Sequence, residues 1–233
     1  MNQFSQSQVK SSVGLEVSRF MSRVYGWMMF GLLITSVTGF VIGSSPEYIM
    51  TLSHGGFTMA IVFQFVLVLA LSFGLKRMSV GMATACFLLY SFVSGITFST
   101  IFLSYSLNVI GQVFAITAGT FGAMAVFGFV TKKNLDAMGT FFMMGLFGIV
   151  IAAIVNIFMH SAALDFGISV ISVAVFAGLT AYDVQKLKQI GASGQNDTDM
   201  GHKFAVMGAL MLYLDFINLF LALLRIFGGR SRD

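Results

Sequence analysis

Two aspartates stand where the sequence is otherwise apolar. Asp215 lies in Leu212-Tyr213-Leu214-Asp215-Phe216-Ile217-Asn218-Leu219-Phe220, and Asp183 lies in Ala181-Tyr182-Asp183-Val184-Gln185. Seven other acidic residues complete the set of nine. Glu16, Glu47, Asp136, Asp197, Asp199 and Asp233 fall in tails or gaps, where water solvates them. Asp165 opens an apolar run, where a helix N-terminus favours a negative charge. A carboxylate at mid-membrane costs about 2.5–3.5 kcal/mol on insertion scales, so such residues face a bundle interior or a water-filled cavity. Asp215 therefore reads as part of an ion or proton path. The alternative is a protonated side chain hydrogen-bonded to a neighbouring helix. Asn218, three residues on, shares its helix face. Asp183 is expected at the end of its span, where partial wetting leaves a purely structural role equally open.

The pair carries more chemistry than either member. If their spans pack together, the two carboxylates cannot both ionise cheaply, and the pair holds one proton. Losing that proton creates repulsion, which a cation or a helix movement must relieve. Carboxylate oxygens are also the ligands Ca²⁺ prefers. The expected site is thus a pH-sensitive cation site at Asp183 and Asp215, with Tyr182 and Asn218 as polar support. Lys76 and Arg77 end the second apolar run on the same side as Asp183. They read either as cations that lock the pair or as a topology signal with snorkelling side chains. Gln64, the strongly polar residue within that run, reads as an interhelical hydrogen bond.

These residues need a membrane scaffold to hold them. Hydrophobic residues make up 57% of the 233 and charged residues 9%, with a mean hydropathy of +0.90. A soluble domain keeps about 25% charged residues, so this surface must face lipid. Apolar runs fall at about 24–43, 56–75, 79–104, 109–130, 138–158, 164–183 and 204–227. Each is long enough to cross a hydrocarbon core of roughly 30 Å as a helix. Residues 1–22 read as a polar cytoplasmic tail, 23–228 as the seven-helix transmembrane domain and 229–233 as a short basic tail. Small-residue steps such as Gly119–Gly122 and Gly145–Gly148 suit close helix contact.

Lys and Arg fix the orientation. Lys10, Arg19 and Arg23 precede the first run, and Lys76 with Arg77, Lys132 with Lys133, and Lys186, Lys188 and Lys203 fill alternate gaps. The gaps 44–55, 105–108 and 159–163 hold none. The positive-inside rule then places the N-terminus in the cytoplasm. Arg225, Arg230 and Arg232 conflict with seven full crossings. Either the last segment does not fully cross, or it is a central helix shielded by the others.

Other chemistries lack their motifs. His54, His160 and His202 are scattered, with no H-x-x-x-H spacing, and there is no G-x-S-x-G elbow or phosphate-binding glycine motif. An intramembrane aspartyl protease would need a Gly-x-Gly-Asp that Asp215 does not have. The single cysteine, Cys86, excludes an internal disulfide. The pI near 9.3 arises from basic residues in the gaps and does not point to nucleic acid. No enzyme activity and no resident cofactor are expected.

Tyr182-Asp183, the run Leu212–Phe220 and Leu223-Leu224-Arg225-Ile226-Phe227-Gly228 strongly resemble the Bax inhibitor family, including its bacterial YccA-like and transmembrane-BAX-inhibitor-motif members. Phe92–Thr97 and Gly178–Asp183 add to the match, which covers the chain from about residue 20. The resemblance implies six helices around a central seventh, and a Ca²⁺ leak gated by pH through the Asp183–Asp215 dyad. It implies a gating cation near the end of the second span, for which Arg77 is favoured over Lys76. Gln64 stands where some relatives carry a glutamate. Some relatives instead restrain a membrane-anchored AAA protease, which gives a second expected role as a regulator of such a partner. A monomer in the lipid bilayer of a bacterial inner membrane is expected.

Overall fold

Apolar runs of this length satisfy their backbone within lipid by folding as helices. The computed structural model is helical, with no strand among the described residues. It describes residues 3–53 and 55–228, with side chains from residue 12 onward except at 46 and 53. The helices are α1 (Gln3–Gly43), α2 (Pro46–Ser53), α3 (Gly56–Gly74), α4 (Val80–Ser104), α5 (Leu107–Val130), α6 (Asp136–Met159), α7 (Ala162–Gly191) and α8 (Asp199–Gly228). Seven of them, all but α2, are long and apolar enough to cross a membrane. The last is the most enclosed: 67% of its apolar window is buried, against 0% for α6.

Several boundaries differ from those expected. The segment read as an N-terminal tail is helical from Gln3 and continuous with the first span, and Val17, Phe20 and Met21 are buried. These apolar side chains at helical spacing were masked by the Ser/Gln-rich surroundings. The gap after α1 contains a short helix, α2. α7 runs past Asp183 to Gly191, so Asp183 is inside a helix and not at its end. The basic tail 229–233, with Arg230 and Arg232, lies outside the described residues, as does His54.

The region read as one transmembrane domain divides into two compact units. The first comprises Met1–Ser104 and Leu187–Tyr213. In it α1 and α3 both pack on α4, and α2 touches α1 and α3. Gln64 Nε2 donates to Ser94 Oγ (3.0 Å) and Thr97 Oγ1 (3.1 Å), the interhelical bond expected of it. Tyr213 is fully buried and lies edge-on to Phe87 and Tyr90. The Thr35 hydroxyl is 2.8 Å from the Ser91 carbonyl and 2.7 Å from Tyr213 Oη. Thr35 has one proton, which the carbonyl takes, so Tyr213 donates to Thr35. Arg23 holds the α7–α8 loop through the Asn196 carbonyl (2.8 Å) and Asp197 (2.9 Å).

The second unit comprises Tyr105–Lys186 and Leu214–Asp233. It contains α5, α6, most of α7 and the second half of α8, and both candidate aspartates.

Candidate functional site

Asp183 and Asp215 come together. Asp183 projects from α7 and Asp215 from α8, close enough for their carboxyls to interact. Both are buried, 8% and 5% exposed. Two carboxyls this close cannot both ionise cheaply. Asp215 Oδ2 is buried without a hydrogen-bond partner. An unsatisfied buried oxygen is costly, and a cation or a proton would satisfy this one.

The neighbours that fix the pair are small or amide-bearing. Gly128 of α5 lies directly on the Ala181 backbone, and a Cβ there would collide with the Ala181 carbonyl. Gly139 of α6 lies under the Tyr182 ring in the same way. Two glycines thus let α5 and α6 reach α7 at the two residues just before Asp183. Of the steps expected to pack, Gly145 does meet the Val175 side chain of α7, whereas Gly119, Gly122 and Gly148 face open space. A small-residue spacing does not say which helix face meets protein. Gln185, buried two residues after Asp183, accepts from Leu135 N and donates to the Lys133 carbonyl, both at 2.9 Å. That side chain pins the α5–α6 loop to α7.

The remaining site residues are dispersed. Asn218 shares the α8 face of Asp215, is half-buried, and donates to the Leu214 carbonyl (2.8 Å). Tyr182 is half-buried, and Lys186 Nζ donates to its hydroxyl (3.3 Å) while lying 5.5 Å from the ring centroid. Lys76 and Arg77 are exposed in the turn after α3, and neither forms an ion pair among the described residues. The cation nearest Asp183 along the same helix is Lys186, one turn on in α7. Sequence reading took Lys186 for a topology signal, although its i,i+3 spacing from Asp183 was visible.

The conflict over the last span is resolved within this unit. Arg225 pairs with Asp165 at 3.6 Å, and Gly228 lies against the Tyr105 ring. The C-terminal end of α8 therefore sits beside the N-terminal end of α7, among the gaps that lack Lys and Arg. With 30 residues, α8 is roughly 45 Å long at 1.5 Å per residue, more than a hydrocarbon core requires. No group of three or more His, Cys, Asp or Glu side chains gathers among the described residues.

A family model described as "Inhibitor of apoptosis-promoting Bax1" matches residues 17–232. The chain is 43% identical over 229 residues to the Escherichia coli K12 protein named "Inner membrane protein YbhL", covering 97% of each chain. It is 44% identical over 218 residues to a Borreliella burgdorferi protein, covering 93% of this chain and 94% of the relative. A Deinococcus radiodurans protein is 42% identical over 233 residues, covering 100% of this chain and 98% of the relative.

Proposed function

The chain belongs to the Bax inhibitor family, and from that premise we propose that it is a pH-sensitive passive leak for Ca²⁺, gated at Asp183 and Asp215. The observation that carries this reading is the buried carboxyl pair with Asp215 Oδ2 unsatisfied. With one proton the pair bears a single negative charge and holds α7 to α8. Without it the pair bears two, and something positive must enter or the helices must part. Lys186 supplies a positive charge fixed to α7, one turn from Asp183. Ca²⁺ takes six to eight oxygens, and two carboxyls offer four. Such a site passes an ion without storing it, as conduction requires. The Lys and Arg pattern supports an N-terminus in the cytoplasm, and the relative's name supports a bacterial inner membrane.

The test is Ca²⁺ flux into dye-loaded vesicles carrying the whole protein, compared between the parent and Asp215→Asn over roughly pH 6 to 8. The parent flux should change with pH and the variant flux should not. Equal flux with an equal pH response in both would remove the pair from the mechanism.

A further inference from the structure

The second unit contains a cavity of about 420 Å³ between α6, α7 and α8. The α6 wall is apolar. The α7 and α8 walls carry Ser169, Ser172, Phe176, Asn218, Ala222 and Arg225. These positions form one face of each helix. On α7 the sequence Asp165, Ser169, Ser172, Phe176 steps by three or four residues and reaches Asp183 after two more steps. On α8 the steps run Asp215, Asn218, Ala222, Arg225. The cavity thus ends one turn from Asp215 on α8 and two turns from Asp183 on α7.

Apart from Arg225, most of the polar side-chain atoms facing it are oxygens. Ser169 Oγ donates to the Asp165 carbonyl (2.8 Å) and Ser172 Oγ to the Ile168 carbonyl (2.7 Å), which spends their protons and leaves their lone pairs. Asn218 Nδ2 gives one of its two protons to the Leu214 carbonyl, which leaves one N–H and Oδ1. Apart from that N–H and Arg225 at the rim, the uncommitted polar side-chain atoms are oxygen acceptors. Hard cations and water bind acceptor oxygens, whereas an acyl chain would leave them unsatisfied. Arg225 and Asp165, each about half exposed, pair across the opening.

We propose that this cavity is an aqueous mouth through which a cation reaches Asp215, with the Asp165–Arg225 pair at its rim and Phe176 and Asn218 as its inner wall. It rests on the leak reading for the ion but stands on its own for the water. Phe176 is buried at 7% exposure and is the innermost α7 residue of the lining. An apolar ring at that place closes a narrow path by excluding water.

The test uses the full chain with Cys86→Ser, into which Ser172→Cys, Asn218→Cys and, as a lipid-facing control, Ile171→Cys are placed singly. Ile171 is 57% exposed on the outer surface. A charged, membrane-impermeant methanethiosulfonate is added to either side of sealed vesicles and labelling is read by mass. Thiols react as thiolates, which form only in water, so Cys at 172 and 218 should label at least roughly tenfold faster than at 171. They should label only from the side that bears the end of α8. In the Ca²⁺ assay, labelling at 218 should slow the flux, Phe176→Ala should raise it and Phe176→Trp should lower it. If neither thiol reacts while the parent flux still depends on Asp215, the cavity holds lipid and this inference falls alone. If both react and the parent carries no Ca²⁺, the leak reading falls and the aqueous mouth stands.

Discussion

Two buried polar clusters draw on neighbouring residues of α8 and are built on opposite principles. Tyr213 belongs to the first unit, where its hydroxyl donates to Thr35, which in turn donates to the Ser91 carbonyl. Those partners are neutral, and none has a buried side-chain atom left unpaired. Asp215, two residues on and about 200° round the helix, meets another carboxyl and keeps an unpaired oxygen. A satisfied neutral cluster fixes one packing. A pair of carboxyls that depends on a shared proton has two charge states and so can serve a switch. The difference teaches that burial of polar groups does not by itself mark function; the unsatisfied, like-charged cluster does.

That contrast predicts opposite responses to substitution. Tyr213→Ala should have the largest effect, a loss of about 3–5 kcal/mol from the emptied site, seen as a fall in thermal unfolding temperature in detergent. A loss under about 1 kcal/mol would show that the neutral cluster is not an anchor. Gln185→Ala strands the Leu135 amide and the Lys133 carbonyl. It should cost about 1–3 kcal/mol and speed hydrogen exchange at the Leu135 amide.

Asp215→Asn should behave differently, because it removes a like-charge conflict. Stability should be unchanged or raised, by up to about 1 kcal/mol, in the same unfolding assay at neutral pH. A marked loss would mean the pair is a structural clamp. The smallest effect belongs to the exposed Arg23–Asp197 contact. The Arg23 guanidinium holds the Asp197 carboxyl below its ordinary value of 3.8. A depressed carboxyl contributes stability that is complete above that ordinary value and fades as pH falls through the lower, folded-state one. Asp197→Asn should therefore slightly lower the unfolding temperature at neutral pH, and the gap from the parent should close in acid.

Much of this was legible in the sequence. Asp215 was conspicuous because the nearest charged residues, Lys203 and Arg225, lie 12 and 10 positions away, and the cost of such a residue in lipid demands a partner. The seven spans were legible because their length is set by the bilayer. What escaped depended on which face of a helix meets protein. Gly128 and Gly139 look like any of the 25 glycines until α7 is seen lying on them. Lys186 and Gln185 were read by their gap, because the helix was ended at Asp183, yet α7 continues to Gly191. Val17 and Phe20 were lost in a polar stretch whose helical period was too sparse to notice. Asp165 and Arg225 lie 60 residues apart in sequence, and only the antiparallel course of α7 and α8 joins them.

The central claim is that Asp183 and Asp215 act as one protonating unit. Its most direct test is Ca²⁺ flux against pH for the parent, Asp183→Asn, Asp215→Asn and the double variant in the same vesicles. Residues that work as a unit are non-additive. Either single substitution should remove the pH response, and the double should add nothing further. Effects that multiply, or a pH response that survives in either single variant, would contradict the account.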